Sequence, residues 1–383
     1  MLPETQRYFL HPELALPGHR VQILLGGEQA YPAMLEAISR ATREVFVETY
    51  TWASDDFGRR FAAALIERAR AGVQVCAVMD GIGSLGFSGS LATELRQAGV
   101  ELTVFHPVAF AFLRKRRSLS VRDHRKLLVV DGAVAFLGGL NLSAEYAPVE
   151  WGGSGWHDVH VRVEGPCTRD LEWLFDLTWR YAAGGKLMLH KENHPVRPPA
   201  GDASVQVLAI ESRGSRRLIR QHLEHALKRA TGEILIMAAY FIPDRGLRAI
   251  LRKAVGRGVR VRVLLPRHSD VPIVQQAARH TYTTLLASGV QIFEWLPSML
   301  HAKSIVVDGR WCTVGSYNLD RRSLVYNWEL SIATDDRGAC DALQADFARL
   351  LDNAVRIDKA IWKRRSAFAK LIQYFAYLLR NWL

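Results

Sequence analysis

Cysteine is scarce in this chain, which has four among its 383 residues: Cys76, Cys167, Cys312 and Cys340. No two of them have the CxxC spacing of a metal or redox motif. Cys76 and Cys312 lie inside apolar runs typical of buried strands, where a free cysteine packs as a small apolar residue. We therefore expect unpaired core cysteines and a reducing compartment, with no disulfide framework.

Long apolar runs are also missing. No stretch approaches the roughly 20 residues that a membrane-spanning helix needs. The first twenty residues, MLPETQRYFLHPELALPGHR, lack the basic region and apolar stretch of a secretory signal. Neither an HExxH-type spacing, nor a carboxylate cluster, nor a GxxxxGK[ST] loop occurs, so we expect neither a metal nor a nucleotide cofactor.

Acidic residues are outnumbered: 38 Asp and Glu stand against 50 Lys and Arg, giving a net charge of +12. Such an excess indicates a polyanionic partner, either a nucleic acid or the anionic face of a membrane. The alternative is a soluble protein with surplus surface arginine. A hydrophobic share of 49% over this length allows two domains with full cores.

What the chain does contain is an internal repeat. HRKLLVVDGAVAFLGGLN, residues 124–141, matches HAKSIVVDGRWCTVGSYN, residues 301–318, position by position. The segments before each copy also correspond, and they alternate strand and helix with continuous Val, Ile and Leu runs. That alternation predicts an α/β fold whose strands are buried on both faces. We expect an N-terminal extension (1–19), two halves (20–182 and 203–355), a Gly- and Pro-rich linker (183–202) and a tail (356–383).

Each copy of the repeat reads as a hairpin with an Asp-Gly turn. A two-residue turn at Asp308-Gly309 would place His301 opposite Ser316, with Lys303 and Asn318 on the same face. The identical count in the first half groups His124, Lys126, Gly139 and Asn141. One imidazole, one ammonium group and one amide should then converge from each half. Asp131 and Asp308 have an alternative role, which is to support the turn itself.

Paired histidines of this kind suit phosphodiester exchange. One imidazole can attack phosphorus, while the other protonates the leaving alkoxide and then deprotonates the incoming alcohol. The lysines and asparagines would stabilise charge on the phosphoryl oxygens without a metal. A carboxylate behind the second ring nitrogen should orient each histidine. Glu329 and Asp158, on apolar strands after the hairpins, are our candidates, although each could be a surface carboxylate at a strand edge.

The two motifs, HxKxxxxD followed by GSxN, resemble those of the phospholipase D superfamily, with Gly139 in place of the first Ser. HRKLLVVDG…GGLNLSAEY, YFIPD, LHAKSIVVDG and VGSYNLDRRSLVYNWEL together resemble the bacterial cardiolipin synthases of the B type. The resemblance implies two pseudo-symmetric α/β/α halves around one active site and a covalent phosphohistidine. It implies a catalytic set with His124 as nucleophile and His301 as acid and base, namely His124, Lys126, Asp131, His301, Lys303 and Asp308. The supporting set would be Asn141, Ser316, Asn318, Asp158 and Glu329.

Two segments bear on the choice between membrane and nucleic acid. Residues 106–123, HPVAFAFLRKRRSLSVRD, are present only in the first half and place an apolar cluster before a basic one. The tail has apolar residues at helical spacing (Ile357, Ile361, Phe368, Leu371, Phe375, Leu378 and Trp382) among basic ones (Lys359, Lys363, Arg364, Arg365, Lys370 and Arg380). This pattern is typical of a helix in a membrane interface, although a core helix can share it.

We therefore predict a peripheral phosphatidyltransferase on the cytoplasmic side of the cell membrane. It would transfer a phosphatidyl group between two phosphatidylglycerol molecules to give cardiolipin and glycerol. The expected partner is an anionic phospholipid membrane, with no nucleic acid. A phospholipase D-type hydrolase and a phosphodiesterase or nuclease of the same superfamily are the alternatives.

Overall fold

The computed structural model describes residues 4–108, 121–184, 197–211 and 213–380. Its strands are β1 (Leu16–Leu25), β2 (Glu44–Thr49), β3 (Gln74–Asp80), β4 (Glu101–Phe105), β5 (Leu127–Val130), β6 (Val134–Gly138), β7 (Val159–Glu164), β8 (Ala203–Ile210), β9 (Glu233–Ala238), β10 (Arg260–Pro266), β11 (Gln291–Trp295), β12 (Lys303–Val307), β13 (Trp311–Gly315), β14 (Glu329–Thr334) and β15 (Ala354–Arg356). Its α-helices are α1 (Gly26–Ser39), α2 (Asp56–Arg70), α3 (Gly89–Gln97), α4 (Thr168–Ala182), α5 (Arg213–Arg229), α6 (Arg245–Gly256), α7 (Pro272–Ala287), α8 (Arg321–Val325), α9 (Arg337–Leu351), α10 (Lys359–Lys363) and α11 (Ala367–Leu378).

The strands form one continuous sheet in which the two halves repeat the same order. Outward from β1 the order is β7, β6, β5, β2, β3, β4, and outward from β8 it is β14, β13, β12, β9, β10, β11. The halves meet where β1 pairs antiparallel with β8, with Leu16 opposite Val205 and His19 opposite Ala203. The predicted pseudo-symmetric α/β fold is thus confirmed.

Helices cover both faces of the sheet because alternate strand residues face opposite ways and are apolar on both sides. Phe46 and Leu235 point into a core shared by the two halves, which α4 and α9 close with residues such as Phe175 and Phe347. On the other face, α1–α3 cover the first half and α5–α7 cover the second. The four cysteines are free and buried, as expected.

The predicted register of both hairpins is wrong by one residue. Val307 pairs with Trp311, and Val130 pairs with Val134, so three residues rather than two form each loop. Asp308 and Gly309 both adopt the left-handed conformation, with φ of 54° and 60°. The Arg310 N–H donates to the Val307 carbonyl across 3.0 Å and closes the turn. Strand pairing resumes one residue later, at Trp311.

Asp308 and Asp131, expected among the catalytic residues, instead hold these loops to the neighbouring strand. The Asp308 carboxylate accepts hydrogen bonds from the backbone N–H of Gly232 (2.7 Å) and Glu233 (2.8 Å). The Asp131 carboxylate accepts equivalent bonds from Arg43 (2.8 Å) and Glu44 (3.0 Å). The full length of β12, roughly 17 Å, separates Asp308 from the histidine end of its hairpin. The structure therefore gives both aspartates the turn-supporting role, while a part in catalysis stays a prediction.

The tail packs on α7 by a narrow face and leaves most of its apolar side chains exposed. In α11, Gln373 and Ala376 are buried, and the Tyr377 ring stacks on the His280 ring at 4.5 Å. Phe368 is 71% exposed and Phe375 is 56% exposed. The exposed apolar side chains of α10, α11 and the residue that follows α11 are Ile361, Phe368, Leu371, Ile372, Phe375, Leu378 and Leu379. Ile357 differs from the expectation, because it packs against the core of the second half.

Three regions singled out in the sequence fall wholly or partly outside the described residues. They are 109–120 of the apolar and basic segment, 185–196 of the linker, and 381–383 of the tail, including Trp382. Within the described ranges, no helix is both long enough and apolar enough to cross a membrane.

Candidate active site

The two histidines meet in one cleft between the halves, with a volume of ≈ 430 Å³. Because β5 runs antiparallel to β2, and β12 antiparallel to β9, each His-Lys pair lies beside the carboxyl end of a parallel strand. Ligands of open α/β sheets bind at such edges. The lining residues are Tyr50, Thr51, Arg122, His124, Asn141, Ser143, Glu145, Tyr146, Trp156, Tyr240, Asp270, Val271, Val274, His301, Asn318, Asp320, Arg322, Ser323 and Asn327.

His124, from the first half, is oriented by the second half. Its backbone N–H donates to the Trp328 carbonyl (3.0 Å), and its Nδ1 lies 3.0 Å from Glu329 Oε2. Ser316 Oγ donates to the same carboxylate oxygen across 2.5 Å, and Asn327 Nδ2 donates to Oε1 across 3.3 Å. A carboxylate fixed in this way holds the proton on Nδ1 and leaves the Nε2 lone pair of His124 available.

His301, from the second half, is oriented by the first half in the same manner. Its backbone N–H donates to the His157 carbonyl (2.7 Å), and its Nδ1 lies 2.7 Å from Asp158 Oδ2. The Val159 N–H donates to the other carboxylate oxygen across 2.7 Å. The histidine–carboxylate pairs therefore cross between the halves, so neither half alone contains an oriented histidine.

The two lysines add buried positive charge beside the imidazoles. Lys126 Nζ donates to the His124 carbonyl (2.7 Å), and Lys303 Nζ donates to the His301 carbonyl while lying 3.1 Å from His301 Nε2. Both lysine side chains are buried. Ammonium groups in this position can stabilise the oxygens of a phosphoryl group.

The two predicted amides have different environments. Asn141 is fully engaged: its Oδ1 accepts from the Thr51 N–H (3.1 Å), and its Nδ2 donates to Tyr146 Oη (2.9 Å). Tyr146 Oη in turn lies 3.3 Å from His301 Nδ1. Asn318 is also buried, but its Oδ1 has no hydrogen-bond partner among the described residues. Asn141 is thus placed to position Tyr146, whereas Asn318 lines the cleft with an unpartnered side-chain oxygen.

The aromatic residues of the cleft were not identified from the sequence. The Tyr50 ring lies 5.0 Å from the His124 ring, and the rings of Tyr146, Trp156 and Tyr240 lie 5.2, 6.1 and 6.1 Å from that of His301. Tyr50 and Tyr240 follow the parallel strands β2 and β9 by one and two residues. A polar aromatic residue just after such a strand is a signal that could have been used.

Burial and neighbouring charge shift the pKa values of the site. Burial, with help from Lys303, lowers the pKa of His301 to about 4 and that of Lys126 to about 7. Burial also lowers the pKa of His124. Burial alone would raise the pKa of Glu329, but His124 and Ser316 outweigh it and lower the pKa overall. Lys303 and His301 likewise outweigh the effect of burial on Asp158 and lower its pKa. In the empty site the carboxylates thus stay charged while the imidazoles are neutral near pH 7.

We expect the apparent affinity for an anionic phosphodiester to fall as the pH rises above about 7. The anion binds the protonated Lys126, and the low pKa of this lysine in the empty site means that the proton is lost above that pH. Affinity should fall by up to roughly tenfold per pH unit. Measuring kcat/KM between pH 6 and 9 checks this, with Lys126→Met as the variant that should lose the dependence. A profile that is flat from pH 6 to 9 would contradict it.

Comparison with known proteins agrees with the internal repeat. Residues 34–150 and 223–351 match the family described as "Cardiolipin synthase, PLD-like domain". The chain is 37% identical over 322 residues to a cardiolipin synthase B of Escherichia coli, covering 84% of this chain and 77% of the relative. It is 32% identical over 359 residues to a cardiolipin synthase of Alkalihalophilus pseudofirmus, covering 94% and 71%.

Two solved structures share the fold. A phosphatidylserine synthase of Haemophilus influenzae superposes over 100% of both chains with a TM-score of 0.73 at 13% identity. A polyphosphate kinase of Porphyromonas gingivalis superposes over 95% of this chain and 54% of its own, with a TM-score of 0.58 at 15% identity. At such identities the likeness concerns the fold alone. From the two matched repeats and the extent of identity to its relatives, this chain belongs to the cardiolipin synthase family of the phospholipase D superfamily.

Proposed function

We propose that this protein is a phosphatidyltransferase that makes cardiolipin from two phosphatidylglycerol molecules. The observation that carries the proposal is the pair of crossed histidine–carboxylate contacts facing one cleft. Such a pair supplies a nucleophile and a separate acid and base at a single phosphorus. The names of the relatives, cardiolipin synthases from several bacteria, agree with this chemistry.

In the first step, His124 Nε2 attacks the phosphorus of the donor lipid. The bond from phosphorus to the head-group oxygen breaks. His301, which takes up a proton when the anionic donor lipid is bound beside it, transfers its Nε2 proton to that oxygen, so that glycerol leaves. In the second step, His301 accepts the proton of an acceptor hydroxyl, whose oxygen attacks phosphorus and displaces His124. Lys126, Lys303 and Asn318 would hold the phosphoryl oxygens in both steps.

The assignment of nucleophile to His124 follows the family resemblance. The structure gives the two imidazoles comparable carboxylate partners. The aromatic walls formed by Tyr50, Tyr146, Trp156 and Tyr240 reduce the space for water around the covalent intermediate. Exclusion of water favours transfer to a lipid alcohol over hydrolysis. The exchange replaces one phosphodiester with another of similar energy, so it needs no nucleotide.

Vesicles with phosphatidylglycerol as the only phospholipid provide the test. The wild-type protein should convert them to cardiolipin and free glycerol, and both products should be absent with the His124→Ala variant. Phosphatidic acid as the main product would identify a hydrolase instead. Inertness toward the vesicles, with cleavage of DNA or RNA that weakens steeply as salt rises, would identify a nuclease.

We further propose that the tail attaches the protein to the cytoplasmic face of the membrane. The outward apolar side chains of α10 and α11 stand beside basic residues such as Lys359, Lys363 and Lys370, a combination suited to an anionic interface. Helix α11 also packs near Val274, which lines the cleft. Attachment through α11 would therefore bring the cleft close to lipid.

We expect the double substitution Phe368→Asp with Phe375→Asp to weaken sedimentation with phosphatidylglycerol vesicles by roughly 30-fold or more. Each change removes a large apolar side chain from the lipid interface and adds a charge that the anionic surface repels. Both positions are exposed, so the thermal unfolding temperature should stay within a few degrees of the wild type. Leu14→Asp, at another exposed apolar position, is the matched control. Unchanged binding by the double variant would contradict the proposal.

A further inference from the structure

A second cavity lies next to the active-site cleft, in the second half of the protein. It has a volume of ≈ 350 Å³, within the usual range for small-molecule sites of roughly 300–1,000 Å³. Its walls come from α5, α6, α8 and the tail. We call it the tail pocket, and its lining residues are Arg220, Leu223, Glu224, Leu227, Ile242, Pro243, Asp244, Arg245, Gly246, Leu247, Tyr317, Leu319, Asp320, Arg321, Leu324, Tyr377 and Arg380.

The tail pocket has apolar walls and charged residues around them. Leucine, isoleucine and tyrosine side chains form the walls, and four arginines and three carboxylates, those of Glu224, Asp244 and Asp320, line the cavity as well. Arg220 is neutralised by Glu224 and Asp244, at 2.7 Å from each. Arg245 and Arg321 are exposed, and neither has a carboxylate partner within the described part of the chain. An apolar cavity with unpaired arginines at its mouth complements an acyl chain attached to an anionic phosphate.

The tail pocket adjoins the cleft through one residue. Asp320 lines both cavities, and it follows Asn318 by two positions. Tyr377 and Arg380, at the end of the tail, form part of the pocket's own wall. A lipid lying in the tail pocket would therefore contact the end of the tail and, at its other end, Asp320, which also lines the cleft.

We propose that the tail pocket binds the acceptor phosphatidylglycerol of the transfer reaction. The inference rests on the proposed function and adds the site of the second lipid. One acyl chain enters the apolar interior, the phosphate lies against Arg245 and Arg321, and the head group extends past Asp320 into the cleft. There its terminal hydroxyl loses its proton to His301 and its oxygen attacks the phosphatidyl-histidine phosphorus, so that the phosphorus–nitrogen bond breaks.

The test is how the covalent intermediate divides between a lipid alcohol and water. In the first turnover, the double variant Arg245→Glu with Arg321→Glu should release one glycerol per active site at a rate within about twofold of the wild type, because the donor step is untouched. Its ratio of cardiolipin to phosphatidic acid should fall by roughly tenfold or more. Each new glutamate starts a helix, where a negative charge is favourable, so the fold is retained.

Arg252→Glu with Lys253→Glu is the matched control, since it makes the same charge change about two turns along α6, away from the pocket. Its product ratio should equal that of the wild type. Leu324→Trp, which fills the cavity without changing charge, should reproduce the lower ratio. Vesicle sedimentation of each variant is measured in parallel.

An unchanged product ratio in the arginine variant would overturn the acceptor site. A loss of first-turnover glycerol release in parallel with the loss of cardiolipin would also overturn it, because the arginines would then serve donor binding or membrane attachment. These results differ from a failure of the proposed function, in which the wild-type protein itself makes no cardiolipin from phosphatidylglycerol.

Discussion

Replacing either cleft histidine with alanine should reduce turnover by about 10⁴-fold or more, as expected for members of a group that acts as one unit. His124 and His301 have separate tasks, and each is tied to its own carboxylate, Glu329 or Asp158. Neither imidazole can replace the other, because each carboxylate fixes its ring from the opposite half. Conversion of phosphatidylglycerol vesicles, followed by lipid analysis, measures the loss. His268→Ala, at an exposed histidine, is the control.

The same variants test which histidine forms the covalent bond. Rapid quenching of the wild type in alkaline detergent should trap an acid-labile lipid phosphate on a histidine, and His301→Ala should still allow labelling of His124. Label found on His301 in the His124→Ala protein would reverse the two roles. Wild-type turnover by either variant would refute the two-histidine mechanism altogether.

Gly139→Ala should lower activity by roughly 100-fold or more, although it adds a single methyl group. A Cβ at this position would lie 2.1 Å from Asp158 Oδ1 and 2.4 Å from Oδ2, well inside contact distance. The carboxylate must move, and His301 then loses the partner that sets its tautomer. The crowding itself should cost about 1–3 kcal/mol of unfolding free energy.

Activity assays and thermal unfolding of Gly139→Ala, beside Gly86→Ala, measure both effects. Gly86 has no atom within 4 Å of the position that a Cβ would take, so its substitution should change little. A shift of the pH profile together with a fall in kcat would identify lost orientation of His301. Near-wild-type activity of Gly139→Ala would mean that Asp158 does not orient His301.

This glycine also explains how the two halves differ at the serine position of the motif. In the second half, Ser316 donates a hydrogen bond to Glu329, which orients His124. In the first half, Gly139 leaves room for the carboxylate of Asp158. The Asp158 side chain is one methylene shorter than that of Glu329. The missing hydroxyl is therefore a steric requirement of this half.

Much of the fold and part of the site could be predicted from the sequence. Strand and helix alternation, the repeat and the identity of His124, Lys126, His301 and Lys303 depend on local patterns, which the chain displays directly. The predicted register of the two hairpins was wrong because an Asp-Gly pair permits both two- and three-residue loops. Hydrogen bonds from the neighbouring strand to Asp131 and Asp308 accompany the longer loop in both halves.

The sequence by itself determined that two copies of one α/β unit would bring two His-Lys pairs together, because side-chain periodicity and motif spacing are properties of short segments. Only the tertiary structure decided that Glu329 serves His124 and Asp158 serves His301 across the halves. The tertiary structure also placed Tyr50, Tyr146 and Tyr240 around the imidazoles. It placed the tail beside a second cavity. The physical reason is that these contacts join residues far apart in the chain, as in the 205-residue separation of His124 and Glu329. Their partners are fixed by how β1 pairs with β8 and by which helices cover the sheet, which no local pattern encodes.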